Sequence, residues 1–170
     1  MATGRKGYPL KIPPTATIKE REKHPVRMWA MKTEKRYFQY AVRAGSDRSI
    51  SGKIPYNSLS RDLGGFRERL QRGCFADTIK SGEKVMAFWN HDTGTPLGST
   101  SAGTLRLDDR SDGLHFTIVP PSNSWGEDVL ISVKRGDIDG CSFGFRCRRD
   151  SWESGKNSDE RIRSAFGGTA

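Results

Sequence analysis

Cysteine and histidine are both scarce in this sequence, at three each in 170 residues. Cys74, Cys141 and Cys147 form no CxxC pair and have no histidine cluster beside them, which excludes the ligand spacing of a structural zinc site and a disulfide framework. Cysteines used this sparingly suit a reducing cytoplasm. Long apolar runs are missing as well: nothing approaches the roughly 18 consecutive apolar residues of a membrane span. The N-terminus has no apolar stretch of the kind a secretory signal needs. The chain is therefore expected to be soluble and intracellular. Hydrophobic residues reach only 34% against a usual figure of about 45–50%, and glycine is plentiful at 19, so part of the chain is expected to lie outside any packed core.

Basic charge is abundant but uneven. Residues 1–43 hold 11 of the 29 Lys and Arg against 3 of the 20 acids, which leaves 18 against 17 for the remainder. The formal charge of +9 thus belongs to a proline-punctuated N-terminal arm, residues 1–36, expected to be disordered. A solvated tail explains such an arm more simply than nucleic-acid binding, which needs aromatics interleaved with positive charge in a folded groove. Residues 37–152 are expected to form one domain, and residues 153–170, polar and closing on Gly167-Gly168-Thr169-Ala170, a disordered tail.

Within the domain, period-two patterning dominates and indicates mainly β structure of the α+β class. Tyr37 to Val42 reads as a first strand. Phe66, Glu68 and Leu70 alternate with Arg67 and Arg69, although Glu68 interrupts the apolar face. The run Val85-Met86-Ala87-Phe88-Trp89 suits a buried strand that delivers Asn90-His91-Asp92 at its end. Leu105 and Leu107, then Leu114, Phe116 and Ile118, form a hairpin pattern around a polar turn. Two stretches read as helical. Phe75, Thr78 and Ile79 have the spacing of a short helix. From Ser124 to Gly136, a capping-box spacing, Trp125, Val129 and Val133 on one face and a C-terminal glycine predict about three turns. Finally Cys141, Phe143, Phe145 and Cys147 share one strand face, and Ser142 and Gly144 share the other.

A serine hydroxyl becomes a useful nucleophile when a base takes its proton, and imidazole does this best near neutral pH. Of the histidines, His24 lies in the arm and His115 faces away from the apolar side of its strand. His91 is the one that follows a buried strand. Ser142 points off the apolar face of its own strand, and Gly144 beside it leaves room for a substrate backbone. Taken alone, the residues leave a structural role open for both.

Several segments, in order from Gly52 to Trp152, resemble the HK97-type bacteriophage prohead (capsid maturation) serine proteases. They are Ser60 to Glu68, Arg72 to Ile79, Trp89-Asn90-His91-Asp92 with Pro96 to Thr100, Gly103 to Leu107, Asp112 to Phe116, and Arg135 to Phe145. The resemblance implies an assemblin-like barrel, related to that of herpesvirus assemblins, with a few surrounding helices. It further implies His91 as general base and Ser142 as nucleophile, with no cofactor and no metal. The implied activity is serine endopeptidase cleavage of phage scaffold, major capsid protein extensions and the protease itself. It takes place inside the assembling prohead in the host bacterial cytoplasm, with no membrane involved.

Members of that family continue past the Trp152 region into a further core strand that supplies an acidic third catalytic residue. No such strand is read before Ala170, so the barrel is expected to be incomplete at its C-terminus and the chain to be a truncated or frameshifted copy. Asp92, Asp137, Asp139, Glu153 and Asp159 are the substitutes weighed for the missing carboxylate. The alternative reading is a catalytically weak or inactive homologue that acts as a head-assembly binding protein.

Overall fold

A computed structural model describes residues 34–38, 42–154 and 159–167 of the chain. Period-two patterning becomes strand along most of this length. One four-stranded sheet has the order β1-β9-β10-β4, with β1 at Glu34–Phe38, β4 at Phe66–Leu70, β9 at Cys141–Ser154 and β10 at Asp159–Gly167. A second, fully antiparallel, has the order β2-β3-β8-β7, from Arg43–Ala44, Ile50–Pro55, Gly113–Ile118 and Leu105–Arg110. A small pair joins β5 at Met86–Phe88 to β6 at Pro96–Ser99. Helices α1 (Ala76–Ser81) and α2 (Ser124–Arg135) complete a mainly β protein of the α+β class.

Two apolar clusters follow from the patterning. Phe145 and Cys147 of β9 pack with Leu70, Cys74, Phe75 and Phe166, and Cys141 and Phe143 lean on this cluster from the same face of β9. The alternating cysteines and aromatics of that strand therefore bury the face that the sequence indicated. The second cluster gathers Ile50, Leu97, Leu105 and Ile118 under Val129, Leu130 and Val133 of α2. Helix α2 begins one residue earlier than the capping-box spacing suggested. Its N-cap is Asn123, whose side chain accepts a hydrogen bond from Gly126 N at 3.0 Å. Its end is as read, with Gly136 left-handed at φ 84°, a conformation that glycine adopts at no steric cost.

Three expectations are corrected. The run Val85 to Trp89 is not a buried strand: Met86–Phe88 pair only with β6 and are half-buried, because one side of them faces a cavity. The first strand starts at Glu34 and not at Tyr37, and residues 39–41 lie outside the described residues, as do residues 1–33 of the expected arm. The largest correction concerns the polar tail. Strand β9 runs on to Ser154, and β10 inserts between β9 and β4, antiparallel to the first and parallel to the second. The sheet thus gains a strand where a disordered tail was expected.

Strand β10 is held by charge as much as by apolar burial. Phe166 and Ala165 are buried, but so are Arg161 and Arg163, the latter with no exposed surface at all. Arg163 donates two hydrogen bonds to the Glu34 carboxylate, at 2.6 and 3.0 Å, and one to Glu68 at 3.2 Å. Arg36 of β1 also pairs with Glu68, and Arg161 pairs with Asp150 of β9. The guanidinium groups of Arg36 and Arg163 both lie over the Phe145 ring. Buried charges are tolerable only when paired and hydrogen-bonded in this way. Glu68, the residue that broke the apolar face of β4, is the anion these arginines require.

Candidate active site

Ser142 is the second residue of β9, and its neighbours in the sheet fix its direction. Cys141 and Phe143 turn into the first cluster, so alternation sends Ser142 to the opposite face. Strand β1 pairs antiparallel along this segment, with Tyr37 opposite Ser142 and Lys35 opposite Gly144. Directly opposite residues share a face, so Lys35 stands on the same side of the sheet as Ser142, over the bare position of Gly144.

His91 arrives from the turn between β5 and β6 and not from the end of a strand. Trp89 N donates to Thr95 O at 3.1 Å and Asp92 N to Trp89 O at 2.8 Å, closing a tight loop, while Asp92 Oδ1 accepts from Gly94 N at 2.9 Å. Asn90 and His91 both have positive φ, 48° and 59°. Two successive non-glycine residues in the left-handed region are costly, and such strain gathers at functional sites. Trp89, packed against the second cluster, anchors the turn that imposes it.

These two strand-and-turn geometries bring Ser142 Oγ within 2.5 Å of His91 Nε2, across 51 residues of sequence. Partial burial lowers the imidazole pKa from its ordinary value, and the nearby Lys35 ammonium lowers it further. Both effects disfavour the charged ring, so His91 is neutral at pH 7 and Nε2 can accept the hydroxyl proton. Burial pushes the neighbouring Cys141 thiol up to about 11, which leaves it protonated at neutral pH.

Among the described residues no carboxylate hydrogen-bonds to His91. Asp92 caps its own turn, Asp137 pairs with Arg135 and Glu153 with Arg69. Asp139 lines the cavity beside the pair, and Asp159 opens β10 opposite Ser154. His115 is bound to Asp112 at 2.9 Å on the surface, far in role from the serine, and His24 lies outside the described residues. Lys35 is the site residue that sequence reasoning missed. Its only signal was the strand pattern of residues 34–38, hidden by the charge of the flanking arm.

Ser142 and His91 open onto a cavity of about 730 Å³. Its walls include residues of both apolar clusters together with Met86, Phe88 and Ile79.

No curated protein and no solved structure matches the chain. A family model does match, that of the caudovirus prohead serine proteases, over residues 38–165. The match spans the histidine turn, the serine strand and most of β10, and the chain belongs to the caudovirus prohead serine protease family.

Proposed function

We propose that this chain is an active serine endopeptidase in which His91 is the general base and Ser142 the nucleophile. The observation that carries this reading is the 2.5 Å approach of Ser142 Oγ to His91 Nε2, a separation suited to proton transfer. Ser142 Oγ attacks the scissile carbonyl as His91 Nε2 takes its proton. The tetrahedral intermediate collapses, the C–N bond breaks, and His91 returns the proton to the leaving amine. Water, activated by the same imidazole, then releases the acyl group from Ser142.

The substrates we propose are the phage scaffold, major capsid protein extensions and the protease itself, cut inside the assembling prohead within the host bacterium. Family membership supports this substrate class. An orienting carboxylate is not a condition of catalysis, since its loss from a serine triad costs about 10⁴-fold and leaves a measurable rate.

The test is a time course of the purified chain beside Ser142→Ala, each incubated with scaffold and capsid protein and read by intact mass. Fragments from the wild type alone are expected. Identical masses from both, with scaffold still bound, would replace the enzyme by a binding protein.

A further inference from the structure

We propose that the cavity beside Ser142 and His91 is a specificity pocket that takes a large apolar side chain flanking the scissile bond. This rests on the reading of Ser142 as the nucleophile and names the class of peptide presented to it. Protein interiors are close-packed, with few voids larger than a water molecule. A space of about 730 Å³ is too large for a packing defect and falls among ligand sites, which span roughly 300–1,000 Å³.

Position and chemistry both suit the assignment. The serine and histidine are themselves part of the wall, so an occupant is held against the reacting atoms. Met86 and Phe88 come from the strand that leads into the histidine turn, and Phe143 from the strand that carries the serine. Ile79, which also lines the cavity, is one of few large apolar side chains left exposed. Among the described residues, the ionisable side chains in the wall apart from His91 and cysteine are Lys35, Asp137 and Asp139, all exposed. An entering acidic or basic side chain would lose water and meet no buried partner. Met86 adds adaptability, since an unbranched thioether fits apolar groups of differing shape.

The pocket is tested directly with p-nitrophenyl esters of acetate, butyrate and octanoate. In each, a bond forms between Ser142 Oγ and the acyl carbon, the bond to p-nitrophenolate breaks, and the hydroxyl proton passes to His91. Burial of each methylene favours reaction about fourfold, so kcat/KM is expected to rise at least about tenfold from acetate to octanoate. In Met86→Trp and Ala87→Phe, which narrow the cavity, the octanoate-to-acetate ratio is expected to fall about fivefold or more. Peptide libraries digested by the wild type should show Leu, Met, Phe or Trp enriched at one fixed position beside the cut. Acylation of Ser142 with a flat or falling chain-length profile overturns the pocket and leaves the nucleophile standing. If no ester acylates Ser142 and no peptide is cut, the enzymatic reading itself falls, and the pocket with it.

Discussion

In the proposed mechanism His91 acts on Ser142, and the Lys35 ammonium near the imidazole helps to set the working pH. The imidazole pKa is lowered first by burial and then by the Lys35 ammonium, and catalysis needs the neutral ring. Activity therefore falls on acidification only as the pH passes below the ordinary histidine range of about 6.5. Lys35→Met removes one of the two lowering effects, so the acid limb of a kcat/KM profile is expected to move to higher pH. The burial effect remains, which keeps the new limb at or below the ordinary value. A limb that stays in place, read over pH 4 to 9, would separate Lys35 from the histidine. His91→Gln should lower kcat by several orders of magnitude while Ser142 stays in place, because the amide cannot accept and return a proton. Single-turnover ester hydrolysis checks this.

The elements β1, β4, β9 and β10 are joined through charge, and two consequences follow. Removing Glu68 leaves Arg163 buried with one of its anions gone and Arg36 without its partner in β4. Breaking a buried ion pair in this manner costs about 3–5 kcal/mol, so Glu68→Ala should unfold at markedly lower denaturant than the wild type. Arg163→Met removes the buried charge itself and should be milder. Glu34 gives the pH sign. Its burial raises the carboxyl pKa, but the hydrogen bonds and charge of Arg163, helped by Arg161 and Arg36, outweigh this and lower it on balance. A depressed carboxylate adds stability that is full above its unfolded value, about 4.3, and is lost as the pH falls through the lower folded value. Hydrogen exchange in β1 should accordingly accelerate below about pH 4 before the second sheet opens.

Much of this was legible in the residues. The hairpin of β7 and β8, both helices, and the two faces of β9 follow from periodicity. Chemistry and resemblance single out Ser142 and His91 in the sequence, and the fold brings these two side chains within hydrogen-bonding distance. Strand β10 was not legible, for a physical reason. In Arg161-Ile162-Arg163-Ser164-Ala165-Phe166 the inward positions of the first half carry arginines, so a hydrophobic alternation rule reads the strand inside out. The compensating anomaly was visible 95 residues earlier, where Glu68 stood among apolar alternates. Neither irregularity has meaning alone, and only the parallel register that sets Arg161 opposite Glu68 joins them. The left-handed turn at Asn90 and His91 was hidden for another reason, since neither residue is a glycine.

At the scale of the whole molecule, β10 is the strand that unites chain segments made far apart. Phe166 is almost fully buried against Phe75, Phe143 and Phe145, so Phe166→Ala should cost about 3–5 kcal/mol, measured by thermal or denaturant unfolding. The same variant should weaken hydrolysis through the strand that carries Ser142, whereas a surface change such as Ile131→Ser should leave both unchanged.

The insertion of β10 also acts as a clock. Asp159 must find Phe66, and Arg163 must find Leu70, each across 93 residues of chain, and pairings this distant in sequence form late and slowly. Until residue 167 has left the ribosome, β4 has no neighbour in this sheet and β9 is open along one edge. In a chain assembled in this order the strand that carries Ser142 gains its second neighbour only once β10 has paired, so any chemistry at Ser142 is expected to appear late in folding.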